Sequence, residues 1–175
     1  MTILPGWLIS LATFPGVISH EIAHRLACYI GRVPVYKTCY FRIGNPAGYV
    51  IHGPVKGYSN ALLLAFAPFL VNTLAAILLY IAAISTRSPE NMWWLLYIWL
   101  GVSAAYHSFP GDEDADTLWD YSKKVWMRNF LVILGLPLIM IIRIANKLRF
   151  LWFDLIYALS LLFLVWLWLE PGLLG

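Results

Sequence analysis

The sequence predicts an all-α polytopic membrane protein of four or five transmembrane helices, with a small cytoplasmic β-hairpin between helices 1 and 2. Three observations carry this. First, 61% of the 175 residues are hydrophobic, only 12% are charged and nine are Trp, giving a mean hydropathy of +0.74. A soluble domain of this size cannot hide so much apolar surface, whereas lipid solvates it. Second, the apolar segments are continuous and lack the alternation of barrel strands, so they read as helices. Third, the thirty residues Gly57 to Thr86 carry no charge, enough to cross a bilayer with room for tilt.

The chain is expected to form a single membrane-embedded domain over 1–175, with a core over about 5–125. Helix 1 is predicted over 4–30, with Pro15 loosening the turn before His20 by freeing a carbonyl. Its start, Met1-Thr2-Ile3-Leu4-Pro5, has no basic n-region and reads as a mature helix, not a removable signal. Between Gly31 and Gly57 stand Arg32, Lys37, Arg42 and Lys56 and no acid, which places this loop in the cytoplasm. Within it, 33–52 reads as a hairpin: a strand from Val35 to Ile43, a turn at Gly44-Asn45-Pro46-Ala47-Gly48, and a strand from Tyr49 to His52. A free hairpin edge suits pairing with an extended substrate segment. His52 reads as a local hydrogen-bonder.

Helix 2 is predicted over 58–84 and helix 3 over 92–109, the latter opened by an interfacial Trp93-Trp94 pair. An acid-rich helix start over 111–128 follows, and C-terminal helices over 129–169. In the C-terminal part, Arg143, Lys147 and Arg149 fall between two apolar segments, leaving four or five crossings open. Asp154 reads as interfacial. Cys28 and Cys39 lack metal-type spacing and read as packing residues.

One stretch needs a chemical reason. His20-Glu21-Ile22-Ala23-His24 lies inside the first apolar run, where each charge costs about 2.5 to 3.5 kcal/mol at mid-bilayer. Histidines at i and i+4 project from one helix face and can meet one metal ion. Glu21, turned about 100° away by the helical repeat, is better placed to address water activated by that ion. His20 lies roughly 15 Å into the membrane from the cytoplasmic end of helix 1. The competing structural reading pairs Glu21 with Arg25, also at i and i+4.

A third ligand is sought among Asp112, Glu113, Asp114, Asp116 and Asp120. Helical phase puts Asp112, Asp116 and Asp120 on a face with Lys123, and Asp114 on the stripe with Leu118, Tyr121 and Val125. Asp114 is therefore the expected inward ligand, with Asp112 and Asp116 as fallbacks. Asn72 and His107 are candidates for positioning a substrate carbonyl or a developing oxyanion. The plainer reading of Asn72 is an interhelical hydrogen bond, about 0.6 kcal/mol on average in membranes; that of His107 is an interfacial side chain or a donor to a ligand.

With this motif in one helix, Ala67-Pro68-Phe69-Leu70-Val71-Asn72 in the next, and Phe109-Pro110 leading to Asp114-Ala115 after a third, the chain resembles the site-2 protease family of intramembrane zinc metalloproteases, as a small divergent member. The resemblance covers roughly residues 5 to 125 and lies in the order of the motifs. It implies zinc held by His20, His24 and Asp114, one ion per chain, with Glu21 as general base. The family's second motif has Gly before the Pro and Asn three residues after it, whereas here Ala67 precedes Pro68 and Asn72 follows four later. Its third motif reads Leu-Asp-Gly, where this chain has Glu113-Asp114-Ala115.

The implied activity is hydrolysis of peptide bonds within or near transmembrane segments. The partners are then a transmembrane protein or peptide substrate and the lipid bilayer, with a homo-oligomer left open. The expected location is the cell membrane, with the site towards the cytoplasm. The rival reading is a non-catalytic membrane protein that binds metal or transmembrane partners. A net charge of +3 gives no reason to expect nucleic acid. Four His in all are too few for a di-iron oxidase, haem takes His from facing helices, and the missing internal repeat weighs against transport.

Overall fold

The computed structural model describes residues 5–125, 130–148 and 152–170. Among them are seven helices and one hairpin: α1 (Gly6–Ala12), α2 (Phe14–Ile30), β1 (Val35–Cys39), β2 (Tyr49–His52), α3 (Tyr58–Ser85), α4 (Trp93–Tyr106), α5 (Asp112–Val125), α6 (Phe130–Leu148) and α7 (Phe153–Leu169). The expected helical class and the hairpin between the first and second long apolar segments are both present. Met1–Leu4, 126–129, 149–151 and 171–175 lie outside the described residues, and with them the predicted ends at 4 and 128 and Arg149.

Several boundaries differ from the expectation, each for a local reason. The first helix is not continuous over 4–30: Thr13 separates α1 from α2, and Pro15 falls in the first turn of α2, where its missing N–H does no harm. The first strand stops at Cys39 and not at Ile43, because the chain turns back on itself, Arg42 N–H bonding the Ala47 carbonyl at 2.7 Å. Helix α4 ends at Tyr106, three residues before the predicted 109. Arg143 and Lys147 lie inside α6 and not beyond it.

The strands pair antiparallel, with Lys37 opposite Ile51, Thr38 opposite Val50 and Cys39 opposite Tyr49, and an irregularity between Val35 and Lys37. Gly57, at φ +84°, turns the chain from the hairpin into α3, a conformation that glycine adopts without steric cost.

Helix α3 is the centre, packed against α2, α4, α5 and α7. Its faces differ by helical period. Asn72, Ala76, Tyr80 and Ala83 are buried, while Leu70, Leu74 and Leu78 are exposed. The same division recurs on α2, where Ala23 and Ala27 face inward and Ile22, Leu26 and Ile30 outward, and on α7, with Ala158 and Val165 inside and Ile156, Leu159 and Phe163 outside. Small residues let the helices approach closely, as in helix packing within lipid. A Cβ on Gly101 would meet Tyr80 Cε1 at 2.5 Å, and one on Gly16 would meet the Ser103 carbonyl oxygen at 1.9 Å.

The break at Thr13 is closed by side chains from α4. Trp99 Nε1 donates to the Ala12 carbonyl at 2.9 Å, Ser103 Oγ donates to the Thr13 carbonyl at 2.8 Å, and Gly16 N–H donates to Ser103 Oγ at 2.8 Å. One turn further, the His107 carbonyl accepts from His20 Nδ1 at 2.6 Å. The pairs 12–99, 16–103 and 20–107 share one sequence offset, 87 residues. Helices α2 and α4 therefore run parallel and in step.

By length and composition α3 is the one helix among the described residues able to cross a membrane alone. The segments Ile139–Leu148 and Phe153–Leu169 meet the same measure only as a pair bent by 109°, and α4 is apolar but shorter.

Candidate metal centre

Each group at the site is placed by a backbone feature described above. Helical spacing puts His20 and His24 on one face of α2, with Nε2 of each 3.1 Å apart. A carbonyl only accepts, so the bond from His20 Nδ1 to the His107 carbonyl fixes a proton on Nδ1 and sets Nε2 beside His24 Nε2, at the candidate metal position. His24 hydrogen-bonds the Leu64 main chain. Pro68 supplies the reason: its missing N–H deprives the Leu64 carbonyl, four residues back, of its helical donor. Both imidazoles are thus oriented by main chain of neighbouring helices, the arrangement usual for metal-binding His.

The third group comes from α5. Its apolar stripe packs on α3, with Ala115 and Leu118 buried against Ala61, Ala65 and Phe66, and Tyr121 donates its hydroxyl to the Val55 carbonyl. This rotation carries Asp114 towards α2, where Oδ2 stands 3.3 Å from His24 Nε2. The Gly111 N–H also bonds the carboxylate, one half of a capping box at the start of α5. Burial alone would push this carboxyl up; the hydrogen bond to His24, with the two neighbouring imidazoles and the Gly111 N–H, outweighs it and holds it below its ordinary range.

One ligand atom each from His20, His24 and Asp114 lies within 4.8 Å of the others. Two imidazole nitrogens and a carboxylate oxygen, from two helices, are a donor set that suits zinc and leaves a coordination position open. The fallback acids go elsewhere: Asp116 pairs with Arg143, and Asp112 is exposed.

Glu21 is buried, with 8% of its surface exposed, and with His20 it lines a cavity of about 950 Å³. The structural pairing with Arg25 is not formed, since among the described residues no ion pair joins them and Arg25 donates to the Tyr40 hydroxyl. Over Glu21 lies Gly48. A Cβ there would sit 2.6 Å from Glu21 Cγ and 2.8 Å from Oε1, so the loop between the strands touches the carboxylate through bare backbone.

Asn72 and His107 are brought to the centre, but not as free donors for a substrate carbonyl. Asn72 Nδ2 donates to the carbonyls of His107 at 2.9 Å and Gly16 at 3.3 Å, which is the interhelical role. The Thr13 hydroxyl donates to the Ile9 carbonyl, so the 2.8 Å contact with His107 Nε2 is donated by the imidazole. His107 reaches the candidate ligand His20 through its carbonyl. His52 Nδ1 bonds the adjacent Gly53 carbonyl, the local role expected of it.

Sequence reasoning missed Gly48, Ser103 and Asp154. The run Gly101-Val102-Ser103-Ala104-Ala105 did carry a signal, small residues in an apolar helix. Asp154, expected at an interface, is buried at 3% exposure and lines the cavity that His20 and Glu21 share. No protein-family model, curated protein or solved structure matches this chain.

Proposed function

We propose that the protein is a multi-pass membrane zinc metalloprotease of the site-2 protease kind, which hydrolyses peptide bonds within or near the membrane segments of other proteins. The observation that carries the reading is the convergence of His20, His24 and Asp114 within 4.8 Å, beside a buried Glu21 that shares a cavity with His20.

The apolar outer faces of α2, α3 and α7, set against an interior that holds Glu21, Asn72, Ser103 and Asp154, favour a chain solvated by lipid with four or five crossings. Arg32, Lys37, Arg42 and Lys56 orient the hairpin, and with it the site, to the cytoplasmic side of the cell membrane.

A zinc ion held by the three ligands supplies a Lewis acid that acidifies water and polarises a peptide carbonyl. The rest is done by the chain. The His107 and Leu64 carbonyls hold the imidazoles in the ligating orientation. Glu21 takes a proton from the attacking water on its carboxylate and returns it to the leaving amine. Gly48 covers one side of Glu21 with bare backbone, and the cavity that Glu21 lines gives water and substrate their approach.

The test is zinc content and cleavage of a single-span test peptide by wild type, His20→Ala, Asp114→Ala and Glu21→Gln. Expected is about one zinc per chain by the three-ligand rule, lost in the His20 and Asp114 variants. The Glu21 variant is expected to keep zinc and lose about 10²- to 10⁴-fold in rate. Zinc in wild type without cleavage would instead support the non-catalytic metal-binding alternative, and loss of zinc from Glu21→Gln would move that residue into the coordination shell.

A further inference from the structure

The hairpin joins α2 and α3 through two short legs, and these legs line a second cavity, of about 520 Å³, that shares no lining residue with the one at Glu21. The Gly53 N–H donates to the Pro34 carbonyl at 2.8 Å, so the legs leave the strands side by side. Each brings one cation to the cavity, Arg32 on the leg from α2 and Lys56 on the leg into α3. Among the described residues neither side chain forms an ion pair or a hydrogen bond, and no acid stands between Gly31 and Gly57. Tyr36 adds a hydroxyl to the wall. Helix α3 starts beside it with no side-chain cap and no acid in its first turn, so the positive end of its dipole adds to the same field.

The backbone sets Arg32 there against its own preference. Helix α2 closes with the Val33 N–H donating to the Cys28 carbonyl at 2.8 Å and the Arg32 N–H to the Tyr29 carbonyl at 3.2 Å, a pairing that runs through one left-handed residue, as a rule glycine. Here Gly31 stands one place early, at φ −74°, and Arg32 itself holds φ +52°. Gly31 is kept small by Asn60, whose Nδ2 donates to the Gly31 carbonyl at 3.0 Å and whose Cγ a Cβ would meet at 3.4 Å. Nothing in that packing asks for a basic side chain at 32. Strain of this kind persists where a site uses it, and its product is a guanidinium on the cavity wall.

On the membrane reading this neck lies where α2 and α3 meet the cytoplasmic surface, at the level of the lipid headgroups. Leu26 and Ile30 carry the exposed apolar face of α2 up to the neck. Two cations without an acid, above an apolar strip, match an anionic headgroup whose acyl chains run down the helix, and basic pockets between membrane helices on this side take such headgroups. We propose that the cavity bounded by Arg32 and Lys56 binds the phosphate of an anionic phospholipid. The inference rests on the membrane reading and is independent of protease activity.

Full-length protein in a non-ionic detergent is titrated with phosphatidylglycerol and with phosphatidylcholine, both carrying the same fluorescent acyl chain. Phosphatidylglycerol is expected to bind about tenfold more tightly, the scale set by two cations near a membrane surface. In Arg32→Gly with Lys56→Gln the ratio falls to near one. Glycine suits the left-handed position better than arginine, so that variant keeps its melting temperature and the loss is one of binding. Lys124→Gln with Lys147→Gln removes the same charge from exposed positions outside the cavity and leaves the ratio standing. Equal binding of the two lipids, a preference that survives the Arg32 and Lys56 changes, or an equal loss in the Lys124 and Lys147 control overturns the proposal. Displacement of phosphatidylglycerol by equimolar inorganic phosphate would assign the cavity to the free anion and overturn the lipid as its source. Flotation with phosphatidylcholine vesicles after an alkaline wash judges the other reading: a chain that does not float overturns the membrane assignment, whereas one that floats without a headgroup preference overturns this site alone.

Discussion

The two sides of the candidate centre are built differently. On the ligand side, groups are tied across helices: His20 to α4's end, Asn72 to both the His107 and Gly16 carbonyls, His24 to Leu64 of α3. On the Glu21 side, the covering loop is held largely by itself. Arg42 N–H bonds the Ala47 carbonyl, Arg42 Nε bonds the Pro46 carbonyl at 2.9 Å, and its guanidinium lies 5.1 Å from the Tyr49 ring. Ligand geometry is therefore a property of the helical frame, and access to Glu21 a property of a local loop. The two should be separable by substitution.

The largest effect should come at the contact between the sides. Gly48→Val places a side chain within 3.0 Å of the Glu21 carboxyl carbon, so loop or carboxylate must move. A displacement of this size at a reacting group lowers turnover about 10²-fold, with zinc content unchanged. Gly44→Ala in the same loop is the control, since its Cβ meets only Arg42 Nε, at 3.7 Å. Equal losses from both variants would show that the Glu21 contact is not what matters.

A smaller effect, of different kind, is expected from Pro68→Ala. The restored N–H competes for the Leu64 carbonyl, closing α3 while releasing His24, and zinc affinity falls about tenfold, the lower range for loss of a bond that orients a ligand. Melting of the apo protein should shift upward in the same variant, because an interior proline is removed. Weaker zinc with a higher melting temperature marks a device that trades helix regularity for ligand orientation; unchanged affinity would remove Pro68 from that role. The smallest effect belongs to Arg42→Ala, which deletes one exposed hydrogen bond and one ring contact, each about 0.5–1 kcal/mol. Turnover should change severalfold without loss of zinc, and a change in zinc affinity would join the two sides that the structure separates.

Much of this was legible in the sequence because it depends on local periodicity. The His pair is one turn of helix, and Asp114 is the acid on an apolar stripe whose other members, Leu118 and Tyr121, do pack inward. Features that depend on contact across the fold were not legible. Pro15 signals a weakened turn, but the break falls at Thr13 because Trp99 and Ser103 are there to bond the freed groups. The early ends of β1 and α4 are set by the Arg42–Ala47 bond and by the demand for the His107 carbonyl at His20. Asp154 carries no local sign of burial, since its depth is decided by where α7 docks against α4 and α3.

The constant offset between α2 and α4 has a consequence for how the chain can change over evolutionary time. The rungs at 12–99, 16–103 and 20–107 recur every four residues, from the last residue of α1 into α2 on one side and along α4 to its C-cap on the other, so His20 meets its acceptor because two equal lengths are counted from one shared origin at Gly16 and Ser103. Deleting one residue between 103 and 107 would turn the end of α4 by about 100° and carry the carbonyl away. The same deletion between 16 and 20 would misplace the imidazole. Only matched changes in both helices preserve the meeting, so this stretch should accept substitutions and refuse changes of length, while the hairpin loop, which keeps no such count, is the natural place for insertions to accumulate.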